Sequence, residues 1–184
     1  MAAVGVSVLL VAGVVTVLLV RGDRARVDEP RVEGDRYAFG LPAGWIDQPS
    51  ARGLLSARGD TEALHVLSGS SDLRRLPRDG YAAVVRASGE RIDLSRSVRE
   101  FVAGARASGA EVRLQDPPRH VALAGADAIA FDFVITARGV RLRGRGVNAV
   151  HDGALYSLVL TVAEPAYASA SAKFQHVTDT WRWR

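Results

Sequence analysis

Three arginines, Arg141, Arg143 and Arg145, stand at alternate positions of a segment rich in apolar and small residues. On a strand that spacing puts all three on one face about 7 Å apart, where their guanidinium groups could meet lipid headgroups, an anionic glycan or an acidic partner. The plainer expectation is that they keep an outward sheet face soluble and pair with Asp132 and the acids of a covering helix. Nothing else in the chain assembles a catalytic set. The histidines, His65, His120, His151 and His176, never recur at the short spacings of a metal site, and there is no cysteine to serve as nucleophile, thiolate ligand or lipidated anchor. No Gly-x-Ser-x-Gly elbow and no phosphate loop ending Gly-Lys-Ser/Thr occurs. Gly144-x-Gly146-x-x-Ala149 imitates a dinucleotide fingerprint, but that motif must join a strand to a helix, and here the glycines lie inside a strand. The sequence therefore predicts no enzyme, no cofactor and no metal. Its second candidate site is a groove between helix and sheet near Trp45, Phe131 and Phe133, suited to a small amphiphile.

Strands must position these residues. Ile129, Phe131, Phe133 and Ile135 alternate with Ala130, Asp132, Val134 and Thr136, the period-two pattern of a strand with one buried face. Val140 to Val150 alternates as well. A two-residue turn at Arg138-Gly139 sets Ile135 opposite Leu142, Phe133 opposite Gly144 and Phe131 opposite Gly146, so that each ring covers a glycine. It also sets Asp132 opposite Arg145. For the next hairpin, the demand for a single apolar face rejects a two-residue turn at Asp152-Gly153, which would put Arg145 opposite Leu160 and Arg143 opposite Val162. A three-residue loop, His151-Asp152-Gly153 with Gly153 at positive φ, aligns Val140, Leu142, Gly144 and Gly146 with Tyr156, Leu158, Leu160 and Val162 instead.

The chain has 184 residues and a net charge of +4, with Lys173 its one lysine. The charge is interspersed with acids rather than gathered into a patch, which argues against a nucleic-acid partner. Ala2 to Val20 carries no charge, and 19 residues of helix span about 28 Å, close to the hydrocarbon thickness of a bilayer. No basic start and no small-residue cleavage site accompanies it, so the segment is expected to be an uncleaved transmembrane helix in the bilayer rather than a signal peptide. Residues 21–35 read as a charged linker, and residues 36–184 as one α+β domain. Arg21, Arg24 and Arg26 follow the span, which by the positive-inside rule places the domain on the cytoplasmic face.

Within the domain, Tyr37, Phe39 and Leu41 read as a strand, and the Pro42-Ala43-Gly44-Trp45 turn delivers an indole to core or groove. Leu54 to Arg58 and Thr61 to Leu67 form an expected hairpin, and Tyr81 to Ser88 has the spacing of a short helix. Ser97-x-x-Glu100 is a capping box opening a helix whose stripe Val98, Phe101, Val102 and Ala105 should lie on the Phe131/Phe133 face, ended by Gly109. Glu111 to Leu114 and His120 to Leu123 are expected strands. A closing helix begins at Pro165 and turns Tyr167, Ala170, Phe174, Val177 and Trp181 inward.

Several of these features, in order and spacing, resemble the PsbP-like superfamily, the fold shared with Ran-binding Mog-type proteins. They are Phe39-x-Leu41-Pro42-x-Gly44-Trp45, the helix around Phe101, Gly125-Ala126-Asp127-Ala128 entering a long strand, Asp152 to Leu158 as hairpin and strand, and Phe174 to Trp181 as closing helix. Among actinobacterial proteins the chain is similar to the LpqN-type membrane-tethered group. The resemblance covers residues 36–184 and implies an antiparallel sheet packed between helices, an α/β/α sandwich, in an extracytoplasmic domain. Because the lipidation cysteine is missing, tethering would fall to the apolar helix. Two functions follow as expectations: a non-catalytic interaction module of the cell envelope with a protein or lipid partner, or a carrier of a small amphiphile or lipid.

Overall fold

The computed structural model describes residues 30–52, 61–72, 75, 79–88, 92–137 and 139–184. The apolar segment 2–20, most of the expected linker and the strand expected at 54–58 lie outside the described residues. No helix among the described residues is long and apolar enough to cross a membrane. In chain order the strands are β1 (Arg31–Glu33), β2 (Tyr37–Gly40), β3 (Ile46–Asp47), β4 (Thr61–Ser68), β5 (Tyr81–Ser88), β6 (Glu111–Leu114), β7 (Arg119–Leu123), β8 (Ala126–Ala137), β9 (Val140–His151), β10 (Ala154–Ala163) and β11 (Arg182–Trp183). The helices are α1 (Leu94–Ala107) and α2 (Tyr167–Thr180). An eight-stranded sheet runs β3-β4-β5-β10-β9-β8-β6, all the pairs antiparallel. Strands β6 and β7 follow one another along the same edge of β8, against Phe133–Thr136 and Ala126–Ala130 respectively.

The α+β class is as expected, with α1 over one face of the sheet and α2 over the other. A small second sheet, β1-β2-β11, completes the α2 side. Strand β1 lies within the expected linker. Its Val32 is buried in the core and pairs with Phe39, so the folded unit starts earlier than Arg36. Tyr81–Ser88 is a strand, not a helix. Two ladders, to β4 and to β10, hold it in mid-sheet, where tertiary pairing overrides a weak helical spacing.

The β8–β9 register is the one deduced: Phe131 opposite Gly146, Asp132 opposite Arg145, Phe133 opposite Gly144 and Ile135 opposite Leu142. A Cβ on Gly144 would lie 2.2 Å from the Phe133 ring and 2.4 Å from the Leu160 carbonyl oxygen, so only glycine fits there. The β9–β10 register is not the one deduced. Asp152-Gly153 is a two-residue turn, with φ of 46° and 71°. Two positive φ values make the turn whose twist matches a hairpin, and Asp-Gly is among the pairs that adopt it most readily. Leu160 therefore pairs with Arg145 and Val162 with Arg143. The sheet does not have a single apolar face. Both faces are covered, so Gly144 and Gly146 take phenyl rings on the α1 side while Val147 and Ala149 join Tyr156, Leu158, Leu160 and Val162 in the core under α2.

Helix α1 begins earlier than the capping box implied. Asp93 is the N-cap, accepting from the Arg96 amide at 3.0 Å, while Ser97 sits one turn inside and donates to the Leu94 carbonyl. At the other end Gly109 has φ 86°, and the Gly109 and Ala110 amides return to the Arg106 and Ala105 carbonyls. That double return is the Schellman closure expected of a glycine there. Helix α2 follows a short 3-10 turn at Glu164–Ala166 that contains Pro165. It buries Ala170, Phe174 and Val177.

Candidate functional site

The apolar stripe of α1 settles on the sheet unevenly. Phe101 packs on Phe131 and Phe133 at 5.3 and 4.8 Å between ring centres, closing the flank over β8 and β9. The Asn148 side chain in β9 donates to Ser97 at 2.7 Å and pins the first turn. The opposite flank, toward the sheet edge, carries Ala103, which is too small to reach the strands. The edge itself is interrupted between β6 and β7, where Pro117-Pro118 cannot continue a ladder. A groove of about 560 Å³ results between α1 and the edge of the sheet. Its floor is apolar: Val98 and Val102 from the helix, Val112, Leu114 and Ile129 from the strands.

The wall is cationic. Arg99 and Arg106, seven residues apart on α1, and His120 of β7 stand along the opening, while Arg113 of β6, also at its edge, alternates to the other face of the sheet opposite Val134. Arg106 donates to the Val112 carbonyl at 3.3 Å, and Arg113 pairs with Glu111 at 2.6 Å in an exposed bridge of little energetic weight. Among the described residues no aspartate or glutamate lines the groove. Such a cleft offers an apolar body an apolar floor and a charged end several guanidinium donors, and among the described residues no nucleophile in it is paired with a base.

The arginines singled out from the sequence are used inside the chain. Arg145 donates to both carboxylate oxygens of Asp132, at 2.7 and 3.2 Å, and the Tyr167 hydroxyl donates to the same carboxylate. Burial works to raise the Asp132 pKa, but these bonds and the Arg145 charge outweigh it and hold the carboxyl below its ordinary range. Arg143 lies 4.0 Å over the Tyr167 ring, and Arg141 reaches Glu164 at 3.3 Å. The expected pairing with Asp132 is met by Arg145, while Arg141, itself exposed, reaches an acid of the turn before the covering helix and not of the helix. Trp45 and the two phenylalanines do not share a wall. Trp45 belongs to the core under α2, Phe131 and Phe133 to the core under α1, and the sheet separates them.

A second polar cluster ties β3 to β4. The Asp47 carboxylate meets His65 Nδ1 at 2.8 Å and Arg52 at 2.7 Å, and it accepts from the Val66 amide. Burial pushes the Asp47 pKa upward, yet His65 and Arg52 together hold it below the ordinary carboxylate value. The Tyr37 and Phe39 rings stand edge-on to His65, so its faces are packed against aromatics. Among the described residues no group of His, Cys, Asp and Glu could hold a metal ion. His151 stacks on Trp183 at 4.2 Å beside the hairpin turn.

An antiparallel sheet held between one helix and a helix-plus-ribbon layer defines an α+β sandwich of the PsbP-like type. Several solved structures share it. Cyanobacterial PsbP (CyanoP) from Synechocystis superposes with a TM-score of 0.60 at 16% identity, over 84% of this chain and 92% of its own. LpqN of Mycobacterium tuberculosis, a protein involved in cell envelope biogenesis, gives 0.54 at 13% identity, over 86% and 87%. The Ran-binding protein Mog1p of Saccharomyces cerevisiae gives 0.53 at 12% identity, over 84% and 95%. The fold is therefore PsbP-like, as the sequence motifs implied. No protein-family model matches the sequence, and no curated protein does.

Proposed function

We propose that this chain is a non-catalytic binding module of the cell envelope, held at a membrane by residues 2–20 with its domain outside the cytoplasm, and that the groove beneath α1 receives an amphiphile. The observation that carries this reading is the groove itself: a cleft of about 560 Å³ with an apolar floor, within the size range of small-molecule sites. The absence of a nucleophile–base pair around it supports binding over catalysis. The likeness to LpqN supports an envelope setting by fold analogy.

Photolabelling tests the reading. A diazirine analogue of hexadecanol, added to membranes holding the full chain, should form adducts on peptides covering 95–106 and 111–120, mapped by mass spectrometry. Ala103→Trp, whose indole would occupy the groove, should abolish those adducts. Labelling unchanged by Ala103→Trp, or spread evenly over the surface, contradicts the groove. Orientation is tested separately through the lack of native cysteine. Ala172→Cys, exposed on α2, should react with a membrane-impermeant thiol reagent on intact cells; protection until lysis puts the domain on the cytoplasmic face.

A further inference from the structure

We infer that the ligand of the α1 groove carries an anionic head, a carboxylate or phosphate monoester on an apolar chain, and that Arg99 or Arg106 receives it with His120 at the rim. This rests on the groove being the binding site and goes beyond it by naming the charge of the occupant. The chain contains 20 acids and 24 lysines and arginines, so a random surface depression should include both signs. Among the described residues the groove is lined by Arg99 and Arg106 of α1 and His120 of β7, with Arg113 at its edge, and by no acid. Several arginines elsewhere are ion-paired: Arg96 to Glu100, Arg86 to Glu62, Arg36 to Asp152 and Arg184 to Glu33, each at 2.7 Å. At the groove Arg106 donates to a backbone carbonyl and Arg99 acts on Asp93 through space, neither in a direct ion pair, whereas Arg113 is matched to Glu111.

Placement matters as much as sign. Arg99 and Arg106 lie about two helical turns apart, on either side of Val102 and Ala103, so a head bound at one end leaves the apolar chain over Val112 and Ile129. Guanidinium groups suit this role because their planar fork matches two oxygens of a carboxylate or phosphate. A neutral or cationic amphiphile would gain only the floor.

The test compares diazirine analogues of palmitate and hexadecanol on the full chain in membranes, read as adducts on peptides 95–106 and 111–120. Palmitate should label about tenfold more efficiently at equal membrane concentration, and Arg99→Gln with Arg106→Gln should erase the difference, as expected when charge pairs carry the preference. Arg99→Lys with Arg106→Lys should keep most of it. Unlabelled hexadecyl phosphate and palmitate, used as competitors, then separate a phosphate head from a carboxylate. Equal labelling by acid and alcohol overturns the anionic head while leaving the groove in place. Failure of both probes to label the groove overturns the groove reading itself, and the charge assignment falls with it.

Discussion

The two faces of the eight-stranded sheet are covered in different ways. Under α2 the cover is a helix and a three-stranded ribbon together, and aromatic rings fill the space between them: Tyr37 and Phe39 both stack on Trp181, at 4.6 and 5.3 Å and within 13° of parallel. Phe174 and Val177 are buried beneath, and the cationic end of this face is closed by the Asp132–Arg145–Tyr167 group. Under α1 a single helix covers a sheet wider than itself. Its phenyl-rich flank is packed and its alanine flank is not, so a groove persists where the edge strands divide. One face supplies cohesion, and the other has surface to spare for binding. The difference lies in how many residues cover each face, since both are apolar.

Substitutions can sharpen or break this contrast. The largest effect should come from Gly144→Val, where a side chain meets both a buried ring and the Leu160 carbonyl; backbone cannot yield as a side chain can, and loss of cooperative folding is expected by circular dichroism. On the closed face, Phe174→Ala should cost about 3–5 kcal/mol in denaturant titration, whereas Val102→Ala beside the groove should cost no more than about 1 kcal/mol. If the two costs were equal, the faces would not differ as described.

Asp132→Ala should cost about 1.5–3 kcal/mol, because it strips a charged partner from the half-buried Arg145. The same group sets an acid limit. Its folded pKa lies below the ordinary 3.8, so its contribution is present above that value and is lost as pH falls through the lower folded one. Asp47 behaves alike, so Asp132→Ala should flatten the acid limb of a stability-versus-pH curve in part and not wholly. The smallest effect should be a gain. Gly104 sits inside α1 with nothing near its missing Cβ, and Gly104→Ala should raise stability by about 0.5–1 kcal/mol.

What could be read from the sequence follows the same division. The β8–β9 register was legible because two phenylalanines and two glycines leave one complementary alignment, and charge opposite charge agreed with it. The β9–β10 register was not, because Arg143 and Arg145 argue for solvent until Tyr167 of the distant α2 is brought beside Arg143 and the Asp132–Arg145 pair. Strand β5 passed for a helix since Ala82 and Ala83 favour neither period; only its two neighbours decide it. At α1 the stripe was visible and the cap was not, because Asp93 and Ser97 are both competent caps. The groove needed a further fact that no local pattern holds, the serial pairing of β6 and β7 on β8. Arg99 and Arg106 flanking an alanine on an amphipathic helix are the one trace of it in the sequence.

Methyl NMR of the full chain in nanodiscs titrated with palmitate separates the two faces, the one under α2 more fully packed and the one under α1 receiving ligand. Methyl shifts of Val98, Val102, Val112 and Ile129 should move together and saturate, while those of Val84, Val162 and Val177 under α2 stay in place. Saturable movement of the α2-side methyls, with those beneath α1 unmoved, would contradict the account.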